Sequence, residues 1–151
     1  MSLLLFLRKE SGRGMHKISL IIENEVSIQQ LSVISHLLKD GRPGIFHCES
    51  VEEVRDIIEI AIAGGWVIHL WKRKEMAPWP KADVVYSPLL RGIRHERMFY
   101  GATVIIACIG DEPTAYMREV RNHASGLAKE VQLIGAGGSV TYGFMPGKST
   151  A

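Results

Sequence analysis

The sequence predicts a single α/β domain with a mainly parallel or mixed central sheet, about three helices and a C-terminal β-hairpin. Between residues 16 and 71, strand-like runs alternate with stretches of helical periodicity, and the connections are only a few residues long, the pattern of right-handed βαβ crossovers. Residues 102–109 are apolar apart from Thr103, as expected of a strand covered on both faces. A length of 151 residues, 46% hydrophobic and 23% charged, suits one ordinary folded core and argues against disorder or low-complexity structure.

The first strand is read over residues 16–22. Ser27 and Gln30 then have the spacing of a capping box, in which each side chain satisfies a backbone N–H that the first helical turn leaves unpaired. The apolar positions Ile28, Leu31, Ile34, Leu37 and Leu38 form a stripe, and Gly41 is suited to ending the helix. A short strand is predicted over 45–48. Ser50 and Glu53 repeat the capping spacing before the stripe Val54, Ile57, Ile58, Ala61 and Ile62. Gly64-Gly65 stops this second helix, and residues 66–71 read as a strand rich in β-formers.

Residues 72–98 are broken by Pro78, Pro80 and Pro88 and read as irregular, with at most a short strand over 84–86. A central strand follows within 99–109. Asp111 and Pro113 can open a third helix, whose buried stripe is Met117, Val120, Ala124, Leu127 and Val131. Residues 131–134 and 139–144 flank Gly135-Ala136-Gly137-Gly138 as a closing hairpin. Residues 1–14 read as an N-terminal extension, 15–145 as the domain and 146–151 as a frayed tail. The apolar residues 3–7 suit an edge strand or a homo-oligomer contact, and equally a leader that does not belong to the domain.

Several functions lose support on sequence grounds. The stretch Gly143-Phe144-Met145-Pro146-Gly147-Lys148-Ser149 lacks the first glycine of a phosphate loop, because Tyr142 stands in its place. The glycines at 135–138 precede strand-like rather than helical sequence, so a dinucleotide fingerprint does not fit. Six dispersed histidines show no metal-binding spacing, no serine sits in a nucleophile elbow, and no cofactor is expected. Apolar runs are too short to span a bilayer, so no membrane partner is expected. Cys48 and Cys108 lie in strand-like runs and read as buried reduced thiols, which suits the cytoplasm.

A formal charge of +2 is too small to name a partner, but it is unevenly distributed. Residues 71–97 hold seven Lys/Arg against three acidic residues, while the rest of the chain is net acidic. Lys72, Arg73, Lys74, Arg91, Arg94 and Arg97 are the candidate anion-binding residues, and the spacing of the last three would gather them on one side of a helical turn. Trp71 and Trp79, interleaved with the basic residues, are candidate stacking platforms. The expected partner is an anionic ligand: a nucleotide, a phosphorylated metabolite or single-stranded nucleic acid. The competing readings are a small enzyme with a His/Glu/Cys site assembled in space from His47, His69 and Cys48, and a structural or assembly protein. A non-catalytic module is slightly favoured.

Overall fold

The computed structural model describes residues 16–23, 25–40, 42–75, 79, 81–110, 114–126 and 130–143. Strand β1 (Lys17–Ile22) leads into helix α1 (Ile28–Asp40), β2 (Ile45–Glu49), α2 (Val54–Ala63) and β3 (Val67–Trp71). Strand β4 (Val84–Tyr86), helix α3 (Arg91–Phe99), β5 (Val104–Cys108), α4 (Ala115–Gly126), β6 (Glu130–Ile134) and β7 (Val140–Gly143) follow. The seven strands form one sheet in the order β4-β3-β2-β1-β5-β6-β7, parallel throughout except for the antiparallel β6–β7 hairpin. The chain thus steps outward from β1 to β4, returns across the sheet, and steps outward again from β5. This is a doubly wound arrangement whose direction switches between β1 and β5.

The sheet separates two cores. Ile18, Leu20, Phe46, Ile68 and Ile106 pack beneath α1 and α2, joined by Trp79 from the β3–β4 connection. Ile21, Ile105, Ala107, Val131 and Leu133 pack on the opposite face with Met98 and Phe99 of α3 and Met117, Val120 and Ala124 of α4. Strand β5 contributes to both cores, as its apolar sequence predicts.

Local chemistry explains how the elements begin and end. The Ser27–Gln30 capping box forms: Gln30 N–H donates to Ser27 Oγ at 3.0 Å, and Ser27 N–H donates to Gln30 Oε1 at 2.9 Å. Gln30 Nε2 also donates to the carbonyls of Ile109 and Ile134, tying α1 to the ends of β5 and β6. Trp66 Nε1 donates to the Leu38 carbonyl, which would otherwise lie unpaired in the last turn of α1. Gly44 has no room for a side chain, since a Cβ there would lie 2.1 Å from the His16 carbonyl oxygen. In the hairpin, Gly138 takes a positive φ of 93°.

Four helices are found among the described residues, one beyond the three read from the sequence. The additional helix, α3, lies in the segment read as irregular; Pro88 precedes it and sets an extended approach rather than preventing a helix. Ser50 does not cap α2. Its Oγ accepts the Arg73 N–H at 2.9 Å, and the helix starts at Val54 behind a turn closed by the Val51 carbonyl. Ile28 and Ile62 lie at the margins of their stripes and are exposed. The readings of residues 1–14, Gly41, Asp111, Pro113, Leu127 and the tail from Pro146 fall outside the described residues.

Ile57 and Ile58 are buried in the core under α2, whereas Glu52 is exposed and pairs with Arg55 at the surface. Ile58→Ala is expected to lower unfolding stability by roughly 2–5 kcal/mol, and Glu52→Ala by less than about 1 kcal/mol. Denaturant melts of the two variants check this; equal small losses would contradict the packing of α2.

Candidate anion-binding site

Because β4 and β5 are parallel, α3 must carry the chain from the carboxyl end of the sheet back to its amino end. Arg91 opens the helix and Arg97 lies in its last turn, so their backbones are separated by roughly 9 Å along the axis. Between them, the helix turns Arg94 and His95 toward the sheet.

Arg94 is 3% exposed and its Nε donates to Glu49 Oε2 at 2.5 Å, while Nη1 donates to the Leu89 carbonyl at 3.1 Å. His95 Nε2 lies 3.3 Å from the same carboxylate oxygen. Glu49 ends β2 and is itself buried. Burial raises the pKa of its carboxyl, but the hydrogen bond and field of His95 and the charges of Arg94 and Arg73 outweigh that and hold it at about 2. A guanidinium spent on this pair is not available to an outside ligand.

The other candidates separate into two groups. Lys72, Arg73 and Lys74 emerge from the carboxyl end of β3. Lys72 N–H donates to the Tyr86 carbonyl at the end of β4, and Arg73 N–H donates to Ser50 Oγ just beyond β2. Arg73 and Lys74 are exposed, and Lys72 forms an ion pair with the exposed Glu75 at 3.2 Å. Arg91 stands on the same side of the sheet and pairs with Glu119 of α4 at 2.8 Å. Arg97, also exposed, belongs to the opposite end. The helical row is therefore divided: one arginine at the carboxyl edge, one inside and one at the amino edge.

Both tryptophans are largely covered. Trp71 is 5% exposed and stacks on Tyr86 with centroids 3.7 Å apart. Trp79 is 6% exposed, and the Arg55 guanidinium lies 4.1 Å above its ring, occupying the face on which a base would stack.

His47 and His69 are neighbours in parallel register, with imidazole centroids 4.7 Å apart. Cys48 faces the other way, into the core beneath α1 and α2, where burial first and the Glu49 charge second push its thiol pKa up. Burial also pushes Cys108 up, to about 12. Neither thiol is set up as a nucleophile.

The sequence alone did not point to Glu23. It lies just past β1 at the switch point, where ligands of open α/β sheets commonly bind. Its carboxylate accepts the Gly110 N–H at 3.0 Å and the Thr114 hydroxyl, fastening the loop after β1 to the start of α4. An anion placed there would meet a carboxylate, so the favourable field lies further along the carboxyl edge, beside β3 and α3. Among the described residues no helix is long and apolar enough to cross a membrane, and no group of three or more His, Cys, Asp or Glu is placed to hold a metal ion. The fold and this edge define a doubly wound α/β domain with a basic carboxyl margin. Comparison with protein-family models, curated proteins and solved structures finds no match.

Two stability predictions follow from this geometry. Arg94→Ala leaves Glu49 buried without its guanidinium and is expected to cost about 3–5 kcal/mol, whereas Arg91→Ala should cost less than about 1 kcal/mol; thermal melts of the pair distinguish them. Acid should also destabilise the fold in two overlapping windows. Burial first, then the charge of Lys17 and the proximity of His69, lower the His47 pKa from 6.5 to about 3. Between those values the unfolded chain binds a proton that the folded chain does not. This contribution is therefore complete above the ordinary pKa and lost as pH falls, by roughly 1.4 kcal/mol per pH unit. Glu49, lowered from 4.5 to about 2, adds a loss of the same sign in the lower window. Melting temperature against pH should show the decline, with a shallower slope for His47→Gln above about pH 4.5.

Proposed function

We propose that this protein is a non-catalytic binding or regulatory module for an anionic ligand held at the carboxyl edge of its sheet. One observation carries the reading: Lys72, Arg73 and Lys74 leave β3 at the side of the sheet where Arg91 opens α3, and the Tyr86 carbonyl and Ser50 hydroxyl hold the backbone of the basic run. Fixed backbone with projecting cations is an economical way to hold a phosphate, because little chain entropy remains to be lost on binding. The covered state of Trp71 and Trp79 favours a compact phosphorylated molecule or nucleotide over an extended single strand, which needs open aromatic faces. Two free, buried thiols are compatible with the reducing cytoplasm.

Equilibrium titration with ATP and with a short oligothymidylate at low salt tests the reading. The combined variant Lys72→Gln, Arg73→Gln, Lys74→Gln and Arg91→Gln is expected to bind at least about tenfold more weakly with a nearly unchanged melting temperature, since exposed charges contribute little to stability. Arg97→Gln, at the far end of α3, should bind as the wild type does. A wild type that binds neither probe, or an Arg97→Gln variant as weak as the combined one, would remove this function.

A further inference from the structure

A second set of polar groups lies on the α3 side of the sheet, on β1, β2 and β3. The sheet is covered by α3 over β1 and β2, where His47 is buried, and opens toward β3 and β4, where Val67 and Val84 are exposed and His69 is half-buried. His47 and His69 are each tied by an aromatic residue on the next strand, one pleat closer to the carboxyl end. Trp71 Nε1 donates to His47 Nδ1 at 2.8 Å, and His69 Nδ1 lies 2.8 Å from Tyr86 Oη. An indole nitrogen can only donate, so His47 Nδ1 is the unprotonated nitrogen and the proton of the neutral ring is on Nε2. With both Nδ1 edges engaged toward the carboxyl end, both Nε2 edges face away from it.

Lys17 lies in that direction, in register with Ile45, two residues before His47. Its ammonium donates to the Tyr100 carbonyl at 2.7 Å and the Arg97 carbonyl at 3.4 Å, just where α3 ends. Burial first, then the Lys17 charge, lowers the pKa of His69 as it does that of His47, so both rings are neutral near neutral pH. Neutral imidazoles beside a fixed ammonium are poor ligands for a cation and good donors to an anion. The His47 Nε2 proton also blocks the lone pair that a metal would need.

We propose that Lys17, His47 and His69 form an oxyanion site for the phosphate group of a small phosphorylated molecule, with the two Nε2–H groups donating and the Lys17 ammonium supplying countercharge. Tyr86 donates to His69 Nδ1 in this state, which places that ring's proton on Nε2. The charged and titratable groups around the rings are Lys17 on β1, Glu49 on β2, Asp83 before β4, Tyr86 on β4 and Arg94 and Arg97 on α3. Of these, Lys17 lowers both imidazoles and Asp83 raises His69. This site shares no residue with the basic carboxyl edge and does not depend on it.

The test is imidazole nitrogen NMR of the full chain at neutral pH, titrated with inorganic sulfate as a phosphate stand-in. The His47 and His69 signals should move together and saturate with one dissociation constant. His69→Asn keeps an acceptor for Tyr86 but loses the Nε2 donor and should weaken sulfate about tenfold, whereas His69→Gln, which restores a donor near Nε2, should recover part of the loss. Lys17→Gln leaves both rings in place and should weaken binding similarly, independently of any effect of the His69 variants on folding. The variant Lys72→Gln, Arg73→Gln, Lys74→Gln should bind sulfate here as the wild type does. Histidine signals that do not saturate, an undiminished affinity in Lys17→Gln, or an equal loss in the variant of residues 72–74 would overturn the site while leaving the carboxyl-edge reading to its own titration.

Discussion

The pair between Glu49 and Arg94 determines how the second half of the chain meets the first. After β4 the chain has reached one edge of the sheet, and β5 must form on the far side of β1, so α3 has to cross the face made by β1 and β2. Helical propensity alone does not set where that crossing sits. A guanidinium at hydrogen-bond distance from a buried carboxylate does, because either charge left alone in that environment would be costly. His95 adds a second contact to the same oxygen, and the Ser19 hydroxyl reaches the Met98 carbonyl one turn later, so the crossing is held along its length.

This constraint redistributes the basic charge that stands out in the sequence. Of three arginines at equal spacing, the middle one becomes part of the core, and the outer two are delivered to opposite ends of the sheet by the direction of the helix. What faces solvent at the carboxyl margin is then the run after β3 together with Arg91. Glu23, which fastens the loops at the switch point, keeps the usual ligand crevice of such sheets unfavourable to anions. The connection after β1 is also tied to the β6–β7 turn, where the Ser27 hydroxyl donates to the Ala136 carbonyl. A carboxylate at the switch, with cations to one side, defines the electrostatic character of this end of the molecule.

Much of the fold was legible because it depends on local rules. Periodicity marked α1, α2 and α4; the Ser27–Gln30 spacing marked a capping box that forms; the apolar run before Ile109 marked a strand covered on both faces. Local rules failed where a distant partner won. Ser50 has the same spacing to an acidic residue as Ser27 has to Gln30, but the Arg73 N–H arrives from β3 and takes its oxygen. Arg94 is indistinguishable in sequence from Arg91 and Arg97, and only the position of Glu49 on another strand turns it inward. Proline density suggested irregular chain over residues 72–98, yet α3 forms within that segment, because Pro88 constrains only the approach to the helix. The adjacency of His47 and His69 was foreseen as a consequence of neighbouring strands, but their ring orientation was not, since it depends on Trp71 and Tyr86 one pleat away.

The two polar regions of the α3 side differ in the kind of group they offer, and the difference follows from burial. Arg73, Lys74 and Arg91 at the carboxyl margin lie in solvent, so the field they present to an anion is long-ranged and weakened by salt. The imidazoles of His47 and His69 sit where desolvation removes their charge, and what remains is directional N–H donation beside a lysine whose ammonium is fixed by carbonyls at the end of α3. Such donors act only at contact distance and discriminate by geometry. Tyr86 connects the two regions physically: its carbonyl holds Lys72 at the margin, its ring stacks on Trp71, and its hydroxyl orients His69. The link runs through main-chain atoms at Lys72, so the side chains of residues 72–74 set the charge of the margin without entering the orientation of His69.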